Sequence, residues 1–133
     1  MADGDTVTVI DASNTQHKIR LSGIDAPEKK QAFGMQSKQS LSDMIFNKQV
    51  IVETEKKDRY GREVGKIMVG GRDVNLEQIV RGFAWHYKEY EREQTSHDRK
   101  QYDLAEQNAR AESRGLWAES DPVPPWEFRH GRH

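Results

Sequence analysis

The sequence predicts an α+β domain, and two observations carry that prediction. Apolar residues alternate with polar ones in some segments and recur at helical spacing in others, which indicates strands and amphipathic helices respectively. These segments follow one another as strands, helix, strands, helix, helix, an order that differs from the regular alternation of a parallel α/β sheet. A small five-stranded barrel packed with three helices is one architecture that accommodates this order.

The chain begins with a predicted β-hairpin. Residues 6–10 alternate between apolar and polar, and residues 17–22 do so again beyond a turn at residues 11–14. Arg20 lies on the polar face of the second strand, so it need not point into the core. The apolar faces of the two strands carry Val7, Val9, Ile19 and Leu21.

A helix and two further strands are predicted next. Apolar residues at helical spacing indicate a first helix from roughly Met35 to Phe46. Residues 49–54 are rich in Val and Ile and predict a strand, and a charged turn separates them from another strand at residues 64–69.

Two more helices and a tail complete the predicted order. Asn75, followed three residues later by Gln78, resembles a capping box and is expected to open the second helix. The third helix is expected to begin near Ser96 and to stop at Gly115. Because prolines stiffen the chain after residue 120, we expect residues 121–133 to form an extended tail beyond a domain of residues 1–120.

Composition excludes several classes of protein. The 133 residues suffice for one domain, and none is cysteine, which excludes disulfides, thiolate metal sites and cysteine nucleophiles. Because 21 basic residues nearly cancel 22 acidic ones, an architectural nucleic-acid binder with a basic surface is disfavoured. The same balance is compatible with an enzyme that grips one phosphate locally. No apolar run approaches the length of a membrane span, so we expect none.

Three short segments carry charged residues suited to chemistry on a phosphate. They are Asp3-Gly-Asp-Thr6, the stretch from Arg20 to Glu28, and the stretch from Asp58 to Arg62. Each also has an ordinary interpretation, as a turn, a solvated acidic loop and a charged hairpin turn respectively. In the second segment Pro27 fixes its own backbone and keeps the preceding residue extended, so Asp25 and Glu28 lie on either side of a stiff corner.

Together, the three segments supply the parts needed to hydrolyse a phosphodiester. That reaction needs a cation on the phosphate, a carboxylate for the attacking water and donors for the charge that builds on the equatorial oxygens. Asp5 and Asp25 offer oxygens to a hard metal, and Glu28 is a separate carboxylate. Arg20 and Arg62 can each present a planar fork of donors to phosphate.

In this order and spacing the segments resemble the staphylococcal nuclease family, whose pattern is Asp-Gly-Asp-Thr, then Arg with Asp-x-Pro-Glu, then Asp-x-Tyr-Gly-Arg. The likeness continues through residues 73–75, 81–85 and 115–117 and spans nearly the whole chain. It implies the OB-fold, a five-stranded Greek-key β-barrel with three α-helices. It also implies a Ca²⁺-dependent nuclease that hydrolyses DNA or RNA with little sequence specificity. We expect a monomer, and a periplasmic or extracellular location is favoured over a cytoplasmic one.

The resemblance further implies roles for individual residues. Asp5 and Asp25 would bind calcium through their carboxylates, and Ala26 would do so through its backbone carbonyl. Glu28 would act as the general base or would orient the attacking water, and both alternatives stay open. The scissile phosphate would be held by Arg20 and Arg62, and the second of these could also help the leaving oxygen to depart.

Two aromatic residues fall where the family places aromatic side chains against the nucleotide. They are Trp85 and Tyr87. Stacking on a base suits a nuclease of low specificity because every base has a π-face. Packing in the core or at an interface is an equally open alternative for both residues.

Two departures from the family pattern lead to further expectations. Only Met1 and Ala2 precede Asp3, where family members usually have a first strand, and the segment after Glu28 is short. A truncated first strand would leave Asp5 near a fraying end, with weak calcium affinity. About ten native upstream residues would then raise both the calcium affinity and the thermal stability.

A second function is weighed against the nuclease. An OB module of the same fold could bind nucleic acid or another ligand without cutting it. Such a module would be expected to lose some of the five charged residues that carry the chemistry, and this chain has all five: Asp5, Arg20, Asp25, Glu28 and Arg62.

Overall fold

The computed structural model describes residues 3–131, apart from the side chain of Glu91. The strands are β1 (Thr6–Ile10), β2 (Gln16–Leu21), β3 (Ile24–Asp25), β4 (Ile51–Lys57), β5 (Glu63–Val69), β6 (Arg72–Asp73) and β7 (Trp85–His86). The helices are α1 (Gly34–Ile45), α2 (Val74–Val80), α3 (Ser96–Ala111) and α4 (Pro125–Phe128), with 3-10 segments at Lys88–Glu93 and Gly115–Ala118. The predicted truncation of a first strand concerns Met1 and Ala2, which lie outside the described residues.

The main sheet is mixed and has the order β1-β2-β5-β4, with β6 beside β5. The β1–β2 and β4–β5 pairs are antiparallel hairpins, whereas β2 and β5 run parallel. A separate two-stranded ladder joins β3 to β7. The α+β prediction is confirmed. Between residues 3 and 131 the ladders contain no pair joining β1 to β4, so the closed Greek-key barrel stays a prediction.

The predicted helices are present with small differences in their bounds. The first begins one residue early, and the third ends at Ala111 instead of reaching Gly115. The predicted capping box is wrong, because the cap of α2 is Asp73, whose side chain accepts a hydrogen bond from the Leu76 amide. The side chains of Asn75 and Gln78 are instead buried in the core, where they bind backbone atoms of distant segments.

The tail is not extended throughout, and the described residues contain four helices instead of three. Residues 125–128 form the short helix α4, which starts with Pro125 at its first position. Proline is suited to that position because its fixed φ matches the helix and its missing N–H would have no helical partner there. The prediction of an extended tail is therefore wrong for these residues, while the domain boundary at residue 120 stays a prediction.

Two apolar clusters hold the elements together. The larger one lies between the main sheet and helices α1, α2 and α3, and its most buried members include Ile19, Leu21, Leu41, Ile67, Ile79 and Tyr102. The smaller one surrounds Trp85 and Trp117, and Trp126 of α4 packs against it. Burial of this kind contributes about 25 cal/mol per Å² of apolar surface. No helix in the described part of the chain is long and apolar enough to cross a membrane.

Candidate active site

Backbone and side-chain contacts join the first acidic segment to the second. The amide of Ala26 donates to Oδ2 of Asp5 at 2.8 Å, and the amide of Leu21 donates to the backbone oxygen of Asp5 at 2.8 Å. Gln78 donates from Nε2 to the backbone oxygen of Gly4 at 2.8 Å. A Cβ atom at position 4 would lie 1.8 Å from Oγ of Ser37, so only glycine fits this approach. Asp5 is thus held beside the loop that follows β3.

Burial sets the electrostatics of the two aspartates. Desolvation raises the pKa of Asp5 well above its usual value, and the neighbouring Asp3 and Asp25 raise it further. Desolvation also raises the pKa of Asp25, although the hydrogen bonds from Arg129 and its positive charge oppose that rise. Negative charge is therefore costly at this point of the molecule, and a cation placed here would be stabilised.

Glu28 lies beyond Pro27 and is held by its own loop. Its amide donates a hydrogen bond to Oε1 of Gln31 at 3.0 Å, and its backbone oxygen accepts one from the Gln31 amide at 2.8 Å. A Cβ atom at Gly34 would lie 2.0 Å from that same oxygen, so the start of α1 packs directly on the loop. The Glu28 carboxylate is half-buried and accepts a hydrogen bond from Nη1 of Arg129 at 2.6 Å.

The parallel pairing of β2 with β5 brings the two predicted phosphate ligands to neighbouring strands. Arg20 on β2 is opposite Val64, and Arg62 lies two residues before that partner. The carboxylate of Glu93 accepts from Nη2 of Arg20 at 2.8 and 2.7 Å. Asp58 accepts from Nε of Arg62 at 2.8 Å and also closes the turn before β5. Each guanidinium is therefore oriented by a carboxylate.

Trp85 and Tyr87 lie on or next to β7 and are both buried. Trp85 packs edge-on against Trp117, with ring centroids 4.5 Å apart. Tyr87 stacks on Trp126, with centroids 5.2 Å apart and planes inclined by 5°. This placement agrees with the packing alternative, and contact of either ring with a nucleotide stays a prediction.

Two residues that the sequence reasoning did not select also belong to this region. Glu93 is almost fully buried, with a side chain 4 % exposed, and it contacts both Arg20 and Lys56. Arg129 contacts Asp25 and Glu28 from the C-terminal segment. A tryptophan within a polar, proline-rich tail was the available signal for the second, because such a large ring is seldom left without packing.

The donors at the joined acidic segments fit a divalent cation in type. Two carboxylates and a backbone carbonyl provide oxygen only, which is the ligand that calcium prefers. Among the side chains that the structure describes, no three from His, Cys, Asp or Glu form a group that could hold a metal ion. A cation bound by Asp5, Asp25 and Ala26 would therefore keep positions open for water and substrate.

The amino-acid sequence is similar to those of known proteins. Residues 18–119 match the model of the staphylococcal nuclease homologue family. An uncharacterized endonuclease of Haemophilus influenzae is 43% identical, over 97% of this chain and 69% of the relative. An uncharacterized endonuclease of Escherichia coli is 40% identical, over 96% of this chain and 80% of the relative. A staphylococcal-like nuclease of Arabidopsis thaliana is 42% identical over 86% of this chain, which covers 34% of that longer protein. The chain belongs to the staphylococcal nuclease homologue family.

Proposed function

We propose that this protein is a calcium-dependent endonuclease that hydrolyses the phosphodiester bonds of DNA, RNA or both with little sequence specificity. The observation that carries the proposal is the hydrogen bond from the Ala26 amide to Asp5, which holds the half-buried Asp5 beside the buried Asp25, with Glu28 beyond the corner at Pro27. The names of the relatives as endonucleases and nucleases support it. With this function we propose the closed OB barrel of the family and a monomeric enzyme.

In the proposed reaction, water attacks phosphorus and the bond from phosphorus to the leaving oxygen breaks. Calcium held by Asp5, Asp25 and the Ala26 carbonyl would draw charge from the phosphate when bound. Glu28 takes the proton of the attacking water or orients that water. The two arginines, Arg20 and Arg62, donate to the phosphate oxygens on which negative charge builds, and Arg62 assists the leaving oxygen.

The carboxylates that contact the two arginines support the proposed role of these arginines as phosphate donors. Glu93 and Asp58 accept from one guanidinium each, so the side chains are oriented before substrate arrives. Donors that are already oriented cost no reorganisation when charge develops in the transition state. The low exposure of Glu93 keeps its contact with Arg20 in a region of weak screening.

The experiment that tests the function is cleavage of unlabelled duplex DNA and of RNA by the purified chain, with calcium and with a chelator. Both polymers are supplied at equal nucleotide concentration. We expect cleavage when calcium is present and no cleavage when the chelator is present. The Glu28→Gln variant serves as the matched control for a contaminating nuclease, because it should lose the activity. Binding of nucleic acid without cleavage in calcium would instead support the non-catalytic OB module.

A further inference from the structure

The C-terminal segment, residues 121–131, lies against the candidate active site and follows residues 18–119, which match the family model. We propose that Arg129 is a positioning residue of that site. Its guanidinium holds the carboxylates of Asp25 and Glu28 at a fixed separation, and Trp126 anchors it there. This inference rests on the proposed nuclease function, for which it adds a residue from the segment predicted to be a tail.

The contacts of Arg129 use its planar fork of donors. Nη1 donates to Oδ1 of Asp25 at 3.0 Å and to Oε1 of Glu28 at 2.6 Å, and Nη2 donates to Oδ2 of Asp25 at 2.9 Å. One nitrogen thus bridges the two carboxylates while the second fixes the plane of Asp25. Charge-assisted hydrogen bonds with two parallel contacts are the stronger and more directional kind. The two nitrogens of Arg129 therefore set the distance between Asp25, a proposed calcium ligand, and Glu28, the proposed base.

The local charges explain why a guanidinium is needed at this point. The side chain of Asp25 is 5 % exposed, and Asp25 and Glu28 both accept from the same Arg129 nitrogen, so two carboxylates lie close together here. The other guanidiniums of the proposed mechanism, Arg20 and Arg62, are oriented toward Glu93 and Asp58. Without Arg129 the Asp25 and Glu28 carboxylates would repel each other, and Glu28, with the more exposed side chain, would turn away.

The anchor of Arg129 is built from aromatic packing and is not an isolated surface contact. Trp126 stacks on Tyr87 and meets Trp85 edge-on at 5.3 Å between ring centroids. Arg129 follows Trp126 by three residues, so the two side chains lie on the same side of this short helical turn. Pro125 is buried, and Gln31 from the Glu28 loop donates to the backbone oxygen of Val123. The segment is thus fastened to the same loop that Arg129 orients.

In the alternative role Arg129 would be a plug, a side chain that blocks calcium binding. A cation that bound both Asp25 oxygens would then have to displace Arg129. The two roles predict different effects of removing Arg129 on calcium affinity. A positioning residue helps catalysis and does not oppose calcium, whereas removal of a plug raises calcium affinity. The extensive anchoring by Trp126, together with the bridge to Glu28, favours the positioning role.

The test compares Arg129→Gln and Arg129→Lys with the wild type, and uses Arg72→Gln, an exposed arginine on β6, as the matched control. Loss of a group that orients a metal ligand typically lowers activity or affinity about 10- to 100-fold, so we expect kcat of Arg129→Gln to fall in that range. KM should stay within about twofold, because Arg129 orients protein carboxylates and does not bind substrate. Arg129→Lys keeps the charge without the fork and should recover part of kcat. Arg72→Gln should match the wild type.

Two further measurements on the same variants decide the other outcomes. Calorimetric titration with calcium should show no gain in affinity for Arg129→Gln, and a gain of about fivefold or more, the lower range of typical coupling between sites, would establish the plug and overturn the proposal. Hydrogen exchange in the metal-free protein should become faster in residues 24–31 of Arg129→Gln and stay unchanged elsewhere. A kcat within about threefold of wild type, or unchanged exchange in residues 24–31, also overturns the proposal. If the wild type cleaves nothing, the proposed function fails, and the exchange result still decides whether Arg129 orders the loop.

Discussion

Arg20 donates to Glu93 through a single nitrogen. Both oxygens of Glu93 accept from Nη2 of Arg20, at 2.8 and 2.7 Å. Among the side chains that the structure describes, Glu93 accepts the hydrogen bonds of this guanidinium, and both come from Nη2. The face of Arg20 also lies over the ring of Tyr90, 5.1 Å from its centroid. The contacts with Glu93 and Tyr90 therefore fix the direction of the Arg20 side chain.

Replacing either arginine by lysine should impair the chemical step. Lysine keeps the charge but lacks the planar fork, so Arg20→Lys cannot hold Glu93 and phosphate at the same time. Loss of one transition-state donor typically costs about 2.7–4 kcal/mol, or roughly 100- to 1000-fold in kcat. Steady-state cleavage of a short duplex measures this for Arg20→Lys and Arg62→Lys, with Arg72→Lys as the control. A near-normal kcat would argue against two-point phosphate contact at that position.

Asp25→Asn should abolish calcium-dependent cleavage and leave the fold intact. The amide is nearly the same size as the carboxylate, so the buried site keeps its shape, but it loses the charge that a calcium ligand provides. Far-ultraviolet circular dichroism checks the fold and the cleavage assay checks the activity. Asp43→Asn, on the exposed side of α1, is the matched control. Full activity of the Asp25 variant at ordinary calcium would remove this residue from the site.

Glu28→Gln should lower kcat strongly and change KM little. Removal of a general base typically costs about 100- to 10,000-fold in rate. The glutamine can still accept from Arg129 through its amide oxygen, so the loop should stay ordered. Separate determination of kcat and KM is the measurement, with Glu112→Gln on the exposed surface as the control. A rise in KM with kcat unchanged would assign Glu28 to substrate binding.

Tyr102→Phe should destabilise the fold. The hydroxyl of this fully buried tyrosine donates to Oδ2 of Asp73 at 2.6 Å, and Asp73 also caps α2. A buried acceptor that loses its donor typically costs about 1–3 kcal/mol. Urea unfolding at neutral pH measures the loss in free energy of unfolding. Tyr60→Phe, at an exposed position, should change that free energy by less than about 0.5 kcal/mol. Equal midpoints for the two variants would contradict the prediction.

His17 should make the stability depend on pH near neutrality. Its ring nitrogens contact Asp11 at 2.8 Å and Glu63 at 2.6 Å, and these hydrogen bonds raise the pKa of His17. Because the folded pKa exceeds the unfolded value of about 6.5, the contribution is fully present below that pH. It is lost as the pH rises through the folded pKa. The Tm difference between wild type and His17→Gln should therefore shrink from pH 5.5 to 8.5 (roughly the span around that pKa), and a constant difference would contradict this.

Local patterns in the sequence predicted the elements well, because each depends on residues that are close in the chain. The alternation in β1 and β2 and the start of α3 at Ser96 required only periodicity and capping. The family pattern also selected Asp5 and Ala26, which the structure joins directly. Contacts that depend on tertiary packing could not be predicted from local sequence patterns. Arg129 approaches Asp25, 104 positions away, in a segment where Trp126 packs on Tyr87.

The parallel join between β2 and β5 has a consequence for how the chain folds. The two hairpins, β1–β2 and β4–β5, can each form locally, but joining them requires closure of the chain that contains α1. Loop closure of this kind is entropically costly, and non-local strand pairing is typically slow to form. Arg20 and Arg62 belong to opposite sides of that join. We therefore expect cleavage activity during refolding to appear only with the final cooperative step, with no earlier species able to hold a phosphate.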